Sequence, residues 1–156
     1  MDAVQVVALW AHTLAFVIGW GYYGILGRIV LPAAERSLDE PARVTFLVAL
    51  ERRALPFLGM AVVLFTLTGS YLLVIDPEYE GLGAIRGSTW ATLMLLKHLL
   101  VVAMVGLAVA LDLLVRRLAE DEPDVPRALR RIRLTAEAAT AMGALIALLT
   151  AAAQVA

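Results

Sequence analysis

The sequence predicts an all-α integral membrane protein, an up-down-up-down bundle of four helices. Hydrophobic residues make up 62% of the 156 residues, and the mean hydropathy is +0.84. Four apolar segments alternate with polar connections, and each reaches the length of about 20 residues that a helix needs to cross a bilayer. We therefore expect a single domain, residues 1–156, surrounded by lipid, with spans at about 4–27, 54–75, 90–115 and 134–155.

The first apolar segment contains His12. No Lys or Arg precedes Arg28, and the apolar core is longer than that of a signal peptide, so we expect the segment to remain as a membrane helix. Ala8, Ala15 and Gly19 share the helical face of His12. These small residues either let a neighbouring helix come close or leave room for a flat ligand, which makes Gly19 a candidate cofactor-binding residue.

The second span follows a polar connection. Pro32 is expected to stop or kink the first helix, and Pro41 follows two acidic residues where a new helix begins. The sequence leaves open whether the residues before 54–75 form a separate interfacial piece or part of one long helix. Thr68 and Gly69 give the far half of this span a small, weakly polar surface, and Gly69 is a second candidate cofactor-binding glycine.

The third span carries Lys97 and His98 side by side within an apolar run. An ionisable residue inside the membrane usually marks a functional site, so we expect this pair to have a partner on another helix. The fourth span is rich in alanine and is expected to pack tightly against its neighbours. The small-residue faces of the first and fourth helices would also permit a homo-oligomer.

The distribution of basic residues predicts the orientation. Five arginines lie between the first and second spans and six between the third and fourth, whereas the middle loop has only Arg86 and the N-terminus has none. The positive-inside rule then places both chain ends outside. We expect a multi-pass protein of the cell (inner) membrane.

The two histidines of the chain are expected at similar depths. His12 should lie about 12 Å, and His98 about 15 Å, from the outer surface at 1.5 Å per residue. The first and third helices of such a bundle are parallel and diagonal, so inward-facing side chains on them can meet across the core. The pair could therefore ligate a b-type haem in the outer half, with Lys97 or Arg86 near its propionates. Otherwise Lys97 snorkels and Arg86 is solvated.

Composition limits the other cofactors. The chain has no cysteine, which excludes disulfides, thiolate zinc sites, iron–sulfur clusters and covalently attached haem. Met94 lies four residues before His98 on the same helical face, so Met94, His98 and His12 could bind Cu(I), which suits thioether and imidazole ligands. Met94 would equally serve as core filler. No nucleic-acid-binding motif is present, so no nucleic-acid partner is expected.

Three stretches also carry a family resemblance: HTLAFVIGWGYYGILGRIVLPA, LERRALPFLGMAVVLFTLTGSYLLV and WATLMLLKHLLVVAMVGLAVAL. They resemble the copper resistance protein D domain and its relative, the HemJ-type membrane protoporphyrinogen oxidase, over the first three helices and weakly over the fourth. The HemJ-type resemblance implies a b-type haem, with His12 and Lys97 matching the essential histidine and lysine. The copper-domain resemblance implies copper handling across the inner membrane. His98, directly after Lys97, departs from the HemJ-type pattern.

Three functional hypotheses follow. The first is a haem b protein ligated by His12 and His98, used for electron transfer with an unidentified redox partner or for a haem-coupled oxidation in which Lys97 is catalytic. Bis-histidine ligation leaves no open iron position and therefore favours electron transfer. The second is a copper-binding or copper-transporting protein that uses His12, His98 and Met94. The third is a non-catalytic membrane subunit, so the sequence leaves open whether the protein is an enzyme.

Overall fold

The computed structural model describes residues 2–77, 79, 89–120 and 124–154, and these residues form helices without any strand. The elements in chain order are α1 (Ala3–Ile25), a π-helical turn (Leu26–Val30), α2 (Leu31–Ser37), α3 (Glu40–Val74), α4 (Thr89–Ala119) and α5 (Val125–Ala153). Four helical segments in this part of the chain are long and apolar enough to cross a membrane, and the first of them runs through α1, the π-turn and α2. The predicted all-α membrane bundle is confirmed.

Aspartates begin three of the helices. Asp2 accepts the backbone N–H of Gln5 at 2.8 Å, and the Gln5 side chain accepts the Asp2 N–H in return. Asp39 accepts the backbone N–H of Ala42 at the start of α3, and Asp124 accepts that of Arg127 at the start of α5. Each carboxylate satisfies a backbone donor that has no partner within its own helix, so these residues fix where the helices start.

The first helix does not stop at Pro32. A π-turn precedes it, and the N–H of Leu31 donates to the carbonyl of Leu26, five residues back. Proline removes the usual helical donor and its ring clashes with the carbonyl four residues earlier. The wider turn is a local rearrangement of the kind that accommodates such a break without ending the helix.

The second long segment is one continuous helix. α3 has 35 residues, which corresponds to about 52 Å at 1.5 Å per residue and exceeds the roughly 30 Å hydrocarbon core of a bilayer. The alternative of a separate interfacial piece therefore does not apply. With the Val74 end of α3 in the membrane, the residues near Glu51 lie at its opposite border.

The helices form a ring in which neighbours are antiparallel. α1 packs against α3 and α5, and α4 packs against the same two helices, so α1 and α4 stand on a diagonal. His12 of α1 meets Phe65 of α3, whereas Tyr22 meets Glu51, which shows that the two helices run in opposite directions. Leu118, near the end of α4, shares the core with Leu26 after α1, whereas the charge of Lys97, nearer the start of α4, acts on His12. α1 and α4 are therefore parallel, and this confirms the up-down-up-down order.

α1 and α5 approach closely where Trp20 meets Gly143. The Trp20 indole N–H donates to the carbonyl of Thr140 at 2.8 Å, and a Cβ at position 143 would collide with the indole ring. Farther along, a Cβ on Gly27 would lie 3.3 Å from Cβ of Ala136. Small residues therefore set the distance between these two helices.

The buried core lies toward the arginine-rich connections. Its centre is formed by side chains from α1, the π-turn, α2, α3, α4 and α5, among them Leu31, Leu111 and Ile132, which are 0% exposed. The alanine-rich α5 is the most enclosed helix, with 33% of its apolar window buried against 6% for the first segment. The half of the bundle that contains His12 is more loosely enclosed, and most of its apolar side chains are exposed, as expected for a surface in contact with lipid.

Candidate functional site

His12 is fixed between α1 and α3. Its Nδ1 lies 3.0 Å from the carbonyl oxygen of Phe65 and 3.2 Å from the hydroxyl of Thr68. The imidazole stacks on the Phe65 ring with 4.1 Å between centroids. A Cβ on Gly69 would lie 2.8 Å from Cε1 of His12, closer than a carbon contact allows. Gly69 is therefore the position that lets the imidazole lie flat against α3.

This hydrogen bond assigns the tautomer of His12. A carbonyl oxygen can only accept, so the bond to Phe65 requires the proton to be on Nδ1. Nε2 then keeps its lone pair, and it has no hydrogen-bond partner among the described residues. Metal-binding histidines commonly show this arrangement, in which a carbonyl holds one ring N–H and the other nitrogen faces the metal.

His98 has the same tautomer but a different position. Its Nδ1 lies 2.6 Å from the carbonyl of Met94, one turn earlier on α4. The His98 side chain is exposed on the outside of the helix, and within the described residues no hydrogen bond or ring contact joins it to His12. The charges of both Lys97 and His98 nevertheless act on the His12 imidazole, so the three residues share one region of the bundle.

Lys97 is half-buried beside Met94. The ammonium nitrogen lies 4.0 Å from the Met94 sulfur, and the negative charge of Asp76 acts on it. Lys97, Met94 and His98 therefore form one group on α4, and its charges act on His12, which lies with Gly69 between α1 and α3. We use the term outer cluster for these five residues, His12, Gly69, Met94, Lys97 and His98.

Gly19, a predicted cofactor-binding residue, has open space beside it. A Cβ on Gly19 would meet nothing within 4 Å, so no neighbouring helix comes close to this glycine. Arg86 lies outside the described residues. Within the described part of the chain, no three His, Asp or Glu side chains are grouped so that they could hold a metal ion. Any metal bound in the outer cluster would need donors of another type, such as the Met94 thioether.

The surroundings of His12 give no support to a haem pocket. Phe65 covers one face of the imidazole, and Gly69 is in contact with its edge. An open apolar groove of about 590 Å³ lies nearby between α1 and α3, and its lining includes Ala8, Leu64 and Tyr71 but no histidine. This groove therefore does not favour a haem ligated by both imidazoles.

The structure also reveals a buried pair that the sequence analysis missed. The Tyr22 hydroxyl donates to a carboxyl oxygen of Glu51, and Glu51 is only 6% exposed. The signal for Glu51 was its spacing from Leu47 and Leu58, which places all three on the buried face of α3. The charged neighbours Arg52 and Arg53 made this stretch resemble a solvated connection.

The comparisons with known proteins agree with the membrane bundle. Residues 52–153 match the model of the family described as copper resistance protein D. The chain belongs to the copper resistance protein D family. No curated protein and no solved structure matches the chain. The matched range starts in α3 and includes all of α4 and α5, so it contains Gly69, Met94, Lys97 and His98 but not His12.

This family membership bears on the predicted cofactor. A copper resistance family favours copper, which the sequence analysis gave as the alternative to haem b. Membership in the HemJ-type group and binding of haem b gain no support from the comparisons or from the geometry around His12. The match also extends through α5, where the resemblance in the sequence is weak.

We predict that Gly69→Ala destabilises the protein by about 1–3 kcal/mol, because the added methyl group forces the His12 imidazole away from Phe65. Thermal unfolding of the detergent-purified protein, followed by circular dichroism, measures the effect. Gly59→Ala on the same helix is the matched control, since nothing lies within 4 Å of its Cβ and alanine favours a helix by up to about 1 kcal/mol. Equal unfolding midpoints for the two variants would contradict the contact.

Proposed function

We propose that this member of the copper resistance protein D family binds copper in the outer half of the membrane and moves it across the bilayer as cargo. The observation that carries the proposal is the shared tautomer of the two histidines. His12 and His98 both hold Nδ1 on a backbone carbonyl and leave Nε2 available. The family match supports copper as the metal.

The donor types of the outer cluster suit Cu(I). Imidazole nitrogen and thioether sulfur are soft or intermediate ligands, and the cluster offers both from His12, His98 and Met94. Met94 and His98 lie one turn apart on α4, while His12 is held by α3 on the other side. We propose that the donors act together or in succession, so that copper passes between α1 and α4.

Lys97 and Asp76 would adjust the charge of this region. A protonated lysine opposes a nearby cation, and Asp76 acts on Lys97 with the opposite sign. In the copper proposal Lys97 is therefore a positioning and charge-setting residue and not a ligand. In the haem hypothesis Lys97 would instead be catalytic or pair with a propionate, but no observation on the described residues favours that role.

Copper binding by the purified protein tests the proposal. We expect the purified protein to bind stoichiometric Cu(I). The affinity should fall by about tenfold or more in His12→Ala, His98→Ala and Met94→Leu, because loss of a group that merely orients a metal ligand already has an effect of this size. Met104→Leu, on the same helix but outside the outer cluster, is the control and should bind as the wild type does.

The visible spectrum of the same samples separates the alternatives. A Soret band that disappears in both histidine variants would overturn the copper proposal in favour of haem b. Absence of both copper and haem, with reduced stability in the histidine variants, would indicate a non-catalytic membrane subunit whose histidines are structural.

We further propose that the protein lies in the inner membrane with both chain ends outside. The support is the placement of the arginines, which flank the π-turn and α2 end of the bundle and the connection between α4 and α5. The chain has no native cysteine, so single-cysteine labelling is straightforward. In intact spheroplasts a membrane-impermeant maleimide should label Ala3→Cys, and it should label Ser37→Cys only after permeabilisation. The reverse pattern would contradict this orientation.

A further inference from the structure

Glu51 is a buried charged residue that the copper proposal does not use. It is the one charged side chain among the described residues that is buried, with 6% of its surface exposed. Glu51 lies 14 positions before Phe65 on α3, which corresponds to about 21 Å along the helix axis. The pair that it forms with Tyr22 is therefore separate from the outer cluster and lies near the arginine-rich end of the bundle.

No cation neutralises Glu51 within the described part of the chain. The ion pairs there join Arg116 to Asp112 and Arg133 to Glu137, and neither includes Glu51. The groups that face it are the Tyr22 hydroxyl and Tyr23 on α1 and the carboxylate of Asp112 on α4. All of these are neutral or negative.

A purely structural role does not explain a carboxyl at this position. A glutamine would accept the Tyr22 hydrogen bond equally well and would carry no charge into the bundle. Burying a charge without a partner is costly. Acidic residues within membrane segments commonly lie on ion pathways or in proton relays, and Glu51 is buried where such a segment reaches the membrane border. The property that separates Glu51 from glutamine is its ability to gain and lose a proton.

We propose that Glu51 is a proton-binding site at the arginine-rich end of the bundle and that proton exchange there is coupled to copper movement. One proton passes between water and Oε1 of the carboxyl. The Tyr22 hydroxyl keeps its own proton throughout and donates a hydrogen bond to Oε2. No electron moves in this step. The proton site stands on the Glu51 and Tyr22 geometry alone, whereas its coupling to copper rests on the proposed function.

Infrared difference spectroscopy tests the proton site without copper. The chain has 14 Asp and Glu residues, and each gives a protonated-carboxyl C=O band when it titrates. During a pH titration of the full chain in lipid nanodiscs, we therefore expect the Glu51 band in the difference between the wild-type and Glu51→Gln spectra. In Tyr22→Phe this band should shift to higher frequency, because the carboxyl loses a hydrogen bond. Glu137→Gln, an exposed ion-pair residue, is the control and should leave the Glu51 band unchanged. Identical titrating bands in the wild type and in Glu51→Gln would overturn the assignment.

Copper flux in proteoliposomes tests the coupling. If one proton moves per copper ion, a gradient of about one pH unit shifts the steady-state copper ratio by about tenfold in the wild type. Glu51→Gln should still transport copper but should not respond to the gradient, and Glu137→Gln should respond as the wild type does. A gradient response that survives in Glu51→Gln would overturn the coupling.

The two experiments separate failure of the inference from failure of the proposed function. Wild-type vesicles that carry no copper, together with a titrating band that requires Glu51, would refute copper transport and support the proton site. Copper flux with no Glu51-dependent band would support transport and refute the proton site.

Discussion

The arrangement of this bundle depends on polar side chains of α1 that find partners on other helices. Three side chains of α1 make hydrogen bonds to other membrane-spanning helices: His12 reaches α3, Trp20 reaches α5 and Tyr22 reaches Glu51 of α3. Lipid offers these groups no partner, so they can be accommodated only where another helix supplies one. Such bonds contribute only about 0.6 kcal/mol each on average. Their main effect is to fix the rotation and height of α1 against its neighbours.

Close packing makes these contacts possible. Gly69 admits the His12 ring, and Gly143 admits the indole of Trp20. In both places a side chain on one helix fills the space that a missing side chain leaves on the other. The helix that carries His12 is therefore positioned by the family-matched part of the chain, even though the match itself begins at residue 52. This division explains how His12 on α1 is held in the same region of the bundle as the proposed copper donors on α4.

The sequence was sufficient to predict the bundle. The lengths of the apolar segments predicted the four membrane helices. The polar connections between them predicted that successive helices are antiparallel, and this topology places α1 and α4 on a diagonal of the bundle. The sequence also placed His12 and His98 at similar depths, and the structure brings their charges within range of each other. These patterns give the position of a residue along its helix. That position can be predicted without knowing which other helices pack around the residue.

The direction in which a side chain points was harder to predict. Lys97 and His98 are adjacent, so they diverge by about 100° around the helix and cannot both face inward. The structure half-buries Lys97 and exposes His98, and only the position of α3 and α5 decides between them. The burial of Glu51 was not predicted, because its charged sequence neighbours made this part of α3 resemble a solvated connection. Arg86 lies outside the described residues and stays a prediction.

The proposed copper binding requires two imidazoles whose Nδ1 protons are held by carbonyls and whose Nε2 atoms keep their lone pairs. Nitrogen-15 NMR of histidine-labelled protein tests this directly, because the chain contains only two histidines. Without metal, both rings should be protonated at Nδ1 and unprotonated at Nε2, and Cu(I) should shift both Nε2 signals. Protonated Nε2 atoms, or Nε2 signals that do not respond to Cu(I), would refute copper binding by these two histidines.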